Sequence, residues 1–184
     1  ELPKIVSKSL FKKNIDNVEL DKHIHTAEDA EFLRKELQKL ELVAFISNNS
    51  ILPRQSSSSD QPLDSREVVP FKSPPSLEVE LKLPNAGTIK GMGIPKGITL
   101  ITGGGYHGKS TLLSTIESSV YNHIPGDGRE KCVSLYETVK VRAYSGRNIT
   151  KTDISTFINN LPFGKDTESF SSINASGSTS QAAS

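Results

Sequence analysis

The residues with the clearest chemistry are Gly103-Gly104-Gly105-Tyr106-His107-Gly108-Lys109-Ser110, followed by Thr111. The spacing is Gly, four residues, then Gly-Lys-Ser, which fits a phosphate-binding loop. Linked phosphates carry several negative charges and need many donors close by. Glycines let the backbone take conformations that other residues avoid, so successive N–H groups can turn inward around the anion. Lys109 would reach the β- and γ-phosphates, and the Ser110 hydroxyl would hold Mg²⁺. A helix starting at the same point would aim its free N–H groups and partial positive charge at the anion.

Such a loop needs a strand before it and a helix after it. Residues 98–102 are a short apolar, β-branched run, which predicts a buried strand. Leu112, Leu113, Ile116 and Val120 recur at helical spacing, which predicts the helix. The bland alternative is a glycine-rich hairpin turn that happens to contain Lys and Ser.

The rest of the chain must position this unit. Residues 1–25 carry Lys4, Lys8, Lys12, Lys13 and Lys22 and read as a solvated, partly helical lead-in. His23 and His25 flank Ile24, but no third ligand stands nearby, so metal binding is not favoured. Thr26 reads as a helix N-cap, with Asp29 in the first turn and Ala30, Leu33, Leu37 and Leu40 forming an apolar stripe. Residues 42–46 are continuously apolar and predict a buried strand. Pro53, the serines at 56–59 and Pro62 predict an exposed loop or linker over 53–67.

Residues 77–83 alternate strictly between apolar and charged, which predicts a strand with one wet face. Residues 88–92 read as its partner, and 93–97 as the turn that leads into the phosphate loop. Beyond the helix, Pro125-Gly126-Asp127-Gly128 predicts a tight turn. Asp127 and Arg129 could reach a phosphate or could simply build that turn. His123 reads as a cap or a packed group. Residues 132–135 and 139–144 predict two short strands, and 153–161 a short helical or irregular segment. From Ser169 onward the chain is rich in serine, and composition alone reads it as a disordered tail.

The chain has 184 residues, enough for one domain or one and a fraction. Its 22 basic and 21 acidic residues nearly cancel, so bulk charge implies neither nucleic acid nor an acidic membrane. The single cysteine, Cys132, excludes an internal disulfide and sits in an apolar run, which predicts packing rather than reactivity. No run is long and apolar enough to cross a membrane, and the start lacks a signal-peptide core. A soluble cytoplasmic protein is the expectation. The chain lacks an initiator Met, so the expectation is also that it is an internal piece of something longer.

A second motif changes the reading. Ala175-Ser176-Gly177-Ser178-Thr179-Ser180-Gln181 resembles the signature of ABC-class ATPases, usually Leu-Ser-Gly-Gly-Gln. Ser176 and Gly177 match, and Ser178 replaces the second glycine. Gly91-Met92-Gly93-Ile94-Pro95-Lys96-Gly97, the phosphate loop, and residues 42–53, 71–84, 121–130, 157–166 and 174–183 extend the likeness. From about Thr26 onward the chain resembles the soluble family described as predicted ATPases of the ABC class, as distinct from transporter subunits.

That resemblance implies an α/β fold, a P-loop NTPase of ABC type. It would comprise an antiparallel β subdomain plus the start of the parallel core, incomplete, with part of a family-specific N-terminal α+β domain. Residues 1–52 would be the C-terminal part of the accessory domain and 53–70 a linker. Residues 71–184 would run from the start of the ATPase core, through Walker A, to the signature. The implied cofactors are ATP and Mg²⁺. They would be held by Gly103, Gly104, Gly105, Tyr106, His107, Gly108, Lys109, Ser110 and Thr111, with Ser110 on the metal. Ser176, Gly177 and Ser178 would act in trans on nucleotide held by a second copy, so a homodimer is implied.

The departures matter. An ABC ATPase needs a Walker B strand ending in Asp and a further acid, which order Mg²⁺ and polarise the attacking water. No such strand stands in this sequence, so the catalytic residues are unassigned and ATP hydrolysis is an expectation for the intact protein. No Gln lies between the loop and Ser176. Asn159 or Asn160 could supply an equivalent amide, and Phe71 is the nearest aromatic for stacking adenine. Two other classes stay open. One is a nucleotide-switched nucleic-acid-binding protein, motivated by the Lys-rich start and by Arg142 and Arg147. The other is a P-loop kinase-like enzyme or GTPase, although no Asn-Lys-x-Asp guanine reader is present.

Overall fold

The computed structural model describes residues 1–56, 58–64, 66–103, 107–141, 146, 148–156, 158, 160–161 and 164–173. The chain divides into two compact units, Glu1–Thr138 and Val139–Ser184. In the first unit, everything is arranged on β1 (Leu42–Ser47), which is buried at five of its six positions. Its neighbours are antiparallel on both sides, β5 (Gly87–Pro95) and β6 (Cys132–Ser134). With β4 (Glu78–Leu83) outside β5, the sheet order is β4-β5-β1-β6. A strand covered on both faces has no reason to alternate, which is why 42–46 reads as unbroken apolar. A register irregularity between Leu42 and Ala44 brings Leu42 and Phe45, three residues apart, onto one face.

That face is covered by α2 (Asn17–Lys39). Ala30, Leu33 and Leu37 pack there with Leu42, Phe45, Leu81, Leu83, Ile89 and Val133. Gly91 is required by the packing, since a Cβ on it would lie 2.5 Å from the Phe45 ring. The opposite face carries Ala44, Ile46, Leu52, Met92, Ile94 and Cys132, against which Leu112 and Ile116 of α3 (Lys109–Ser118) pack. So the two helices hold opposite faces of one sheet. The predicted alternation of β4 is present: Leu81 and Leu83 point inward, while Glu78, Glu80 and Lys82 are exposed. Cys132 is buried, and that burial pushes its thiol up to about 11, as expected of a packed cysteine.

Several expectations need correction. The long helix starts at Asn17, not after Thr26. Asp16 is its N-cap and accepts the Val18 N–H at 2.8 Å. Residues 17–25 contain no Gly or Pro, so nothing stops the helix from reaching back to Asp16. The lead-in before it holds α1 (Leu2–Leu10) and a short 3₁₀ turn, Lys12–Asn14. His23 and His25 therefore sit two apart on a helix, where they do not face the same way. Among the described residues no group of three metal-binding side chains is present.

Within 53–67 a small hairpin forms, β2 (Arg54–Ser56) with β3 (Ser59–Pro62), joining β1 to β4 inside the first unit. β5 runs on through 93–95 because β1 still offers ladder partners to Gly93, Ile94 and Pro95. Residues 98–102 form no strand. Ile98 and Leu100 are exposed, and no described strand lies beside them. A β-branched run needs a neighbour to pair with, and propensity alone does not hold it extended in a sheet. Residues 139–141 are likewise outside any strand and exposed at Val139 and Val141. The remainder of that expected strand, 142–144, lies outside the described residues.

In the second unit β7 (Ile149–Thr152) pairs antiparallel with β8 (Phe170–Ser172) around buried Ile149, Ile154 and Phe170. Composition read 169 onward as a disordered tail, because serines dominate it. Of that stretch, 170–172 form β8 with Phe170 buried against Ile149 and Ile154, and 174–184 lie outside the described residues.

Candidate functional site

The phosphate loop closes onto α3 through Gly108, the helix N-cap, at φ 79. Only glycine takes this left-handed conformation at little cost. The bend leaves the Gly108 carbonyl accepting the first intrahelical N–H, that of Leu112, at 2.9 Å. The N–H groups of Lys109, Ser110 and Thr111 precede that bond and have no acceptor within the helix. No side chain caps Gly108, and the first turn contains no acid. Among the described residues, then, this helix start is a positive end with no side-chain cap.

Lys109 Nζ donates to the Gly103 carbonyl at 2.7 Å, six positions back. The side chain therefore lies along the loop and keeps its ammonium beside the glycines. Ser110 is exposed in the same turn, with its hydroxyl at the helix start. The structure thus brings Gly103, His107, Gly108, Lys109, Ser110 and Thr111 together. Gly104, Gly105 and Tyr106 lie outside the described residues, as do Ser176, Gly177 and Ser178. The donors fit a phosphate. The Ser110 hydroxyl is the kind of hard oxygen ligand that a largely hydrated Mg²⁺ accepts.

The far end of α3 is gripped by two buried arginines, Arg129 of the predicted turn and Arg34, which local sequence patterns did not reveal. Arg34, on α2, is 4% exposed. Its Nε donates to Ser134 O at 3.0 Å, and its Nη2 to the carbonyls of Ser119 and Val120 at 3.4 Å each. Its Nη1 donates to Glu31, Asn122 and the Tyr136 hydroxyl, and the guanidinium stacks 4.4 Å from the Tyr136 ring centre. Arg129 donates to Leu52 O and to the Ser118 hydroxyl. Cations at the C-terminal end of a helix satisfy its last carbonyls and complement its dipole. Through Arg34 the helix on one face of the sheet holds, past the edge strand β6, the end of the helix on the other.

Asp127 and Arg129 build the turn, and their side chains are already committed. Asp127 Oδ2 accepts from Arg54 at 2.9 Å and from His123 Nδ1 at 2.7 Å. Burial works against the Asp127 charge, yet the hydrogen bond from His123 and the neighbouring charges hold its carboxyl below 3.8. A depressed carboxyl stabilises the fold above its unfolded value and loses that contribution as pH falls through the folded one. Native protein should therefore lose stability from about pH 4 downward more steeply than Asp127→Asn, as read by urea denaturation across that window. A parallel loss in both proteins would show that the cluster contributes nothing.

Phe71, the candidate for adenine, instead packs on the core beneath α3. Its backbone bonds Asn49 and Ser50 at 2.8 and 2.9 Å, which draws it into the sheet's periphery. Asn160 is exposed, and Asn159 lies outside the described residues.

Comparison with known proteins shows the family of the chain. The ABC_ATPase family model, described as a P-loop domain, matches residues 16–184. The uncharacterized protein MJ1628 of Methanocaldococcus jannaschii is 37% identical over 141 residues, 72% of this chain. The chain spans 31% of that relative's length. No helix among the described residues is long and apolar enough to cross a membrane. With a family model covering nearly all of it and a phosphate loop seated on α3, this chain belongs to the ABC_ATPase family of P-loop proteins.

Proposed function

We propose that the chain binds ATP with Mg²⁺ at the start of α3, as half of a two-copy nucleotide sandwich in the intact protein. The observation that carries this reading is Lys109 folded along the loop onto Gly103 at a helix start whose N-cap is a left-handed glycine and whose first turn holds no acid. Phosphates would take the N–H groups of Lys109, Ser110 and Thr111 and the Lys109 ammonium, and Ser110 would ligate the metal. Mg²⁺ supplies charge neutralisation between the phosphates when bound. The second copy would contribute Ser176, Gly177 and Ser178. ATP hydrolysis would then open the pair. The group that polarises the attacking water is assigned to none of this chain's residues.

Sedimentation of the intact protein with and without MgATP tests the sandwich. ATP should shift wild type from monomer to dimer, and Ser176→Arg should stay monomeric. A wild type that remains monomeric at saturating ATP would overturn the shared site.

A further inference from the structure

A second cleft, of about 800 Å³, opens between α2, the β4–β5 turn, residues 48–51 and the 125–131 turn. No described residue of 103–111 lines it. The volume falls within the range of small-molecule sites.

Its walls are tied together. The Asp29 carboxylate accepts the N–H groups of Asn85 and Ala86, both at 2.9 Å, which fixes α2 to the β4–β5 turn. Ile51 N–H donates to Gly128 O at 2.8 Å, which joins the other two walls. Glu130 accepts the Gly126 N–H. The cleft is therefore preformed.

Its lining carries three lysines and two acids. The two lining acids, Asp29 and Glu130, already accept backbone donors. Against them stand Lys22, Lys90 and Lys131, with His25 alongside. Lys22 and Lys90 pair with Glu19 and Glu80, outside the lining, and both of those pairs are more than half exposed. Such exposed pairs hold weakly, so both ammonium groups can turn inward to an anion. Lys131 has no ion-pair partner among the described residues. Among the described residues no Phe, Tyr or Trp lines the cleft, so its described lining offers no ring on which a base could stack.

We propose that this cleft binds a small phosphorylated polar molecule of the sugar-phosphate class, with Lys22, Lys90 and Lys131 on the phosphate. A single-stranded nucleic acid would call for stacking rings, and the described lining, which holds no aromatic residue, does not favour it.

The test is calorimetric titration of the intact protein with ribose 5-phosphate, glucose 6-phosphate, inorganic phosphate, free ribose and a single-stranded DNA oligonucleotide. At least one sugar phosphate should bind more tightly than inorganic phosphate, and free ribose should not bind. Lys131→Glu and Lys90→Glu should each weaken that affinity about tenfold or more, and Lys109→Ala should leave it unchanged. Three results would overturn the proposal. One is no heat with either sugar phosphate. Another is affinity lost in Lys109→Ala but kept in both cleft variants. The third is oligonucleotide binding that no sugar phosphate displaces. The Lys109→Ala arm separates this site from the nucleotide reading, so either can fail alone.

Discussion

Replacing Lys109 with alanine is expected to weaken MgATP binding by about a hundredfold while leaving the fold intact. A hydrogen bond to a charged partner contributes about 1.5–3 kcal/mol, so losing the ammonium from the phosphates costs one to two powers of ten. The fold should not suffer. The side chain is partly exposed and lies along the loop, bonded to Gly103 O, rather than in either core cluster. Changes at such surface positions usually stay within about 0.5 kcal/mol. Titration with a non-hydrolysable ATP analogue reads the affinity, and urea denaturation reads the stability. Arginine is not an equivalent replacement, because its planar fork cannot act as the compact charge that the loop surrounds. Equal affinities in wild type and Lys109→Ala would remove the phosphate loop from the account.

The second large effect is structural. Arg34→Ala should destabilise the first unit by about 3 kcal/mol or more, the scale seen when one partner of a buried ionic network is deleted. The guanidinium makes six hydrogen bonds. Its loss leaves the carbonyls of Ser119, Val120 and Ser134 short of a donor, with the C-terminal end of α3 uncompensated. Glu31 would respond too. Its carboxyl is held low first by the Asn122 hydrogen bond, against burial, and then by Tyr136 and Arg34. Arg34→Lys should recover only part of the stability, since a single ammonium cannot reach acceptors on α2, on β6 and beyond α3 together. The readout is the urea midpoint at constant slope. As a control, removing the exposed Lys22–Glu19 pair should change little. An Arg34→Ala midpoint equal to wild type would show that the clamp does not hold α3 in place.

Both effects converge on α3, and they differ in how legible they were. The motif Gly-x4-Gly-Lys-Ser is a local statement. It needs only that Gly108 can turn left-handed and that Lys109 lies within reach of Gly103, and both conditions are set within seven consecutive residues. The alternation of β4 and the unbroken apolar run of β1 were readable for the same reason. Each reports which faces of a short segment must leave water. Arg34 offered no such signal. Apart from Glu31, its partners lie between 85 and 102 positions away. Thr26 misled because a good capping residue inside a helix looks the same as one at its start. Only Asp16 and a run uninterrupted by Gly or Pro decide which is used.

The sequence by itself determined the phosphate-binding loop, its helix, the antiparallel β4–β5 pair and a buried central strand. All of these follow from spacing and from conformations available within a few residues. The tertiary structure decided the rest. It placed β1 between β5 and β6, put α2 and α3 on opposite faces of that sheet, and left 98–102 without a strand partner. It also turned two arginines into the clamp on α3 and assembled a cleft from four separate segments. The physical reason is that a strand or a buried charge is stabilised by whatever lies beside it, and pairing between distant segments is not written in the pattern of either one.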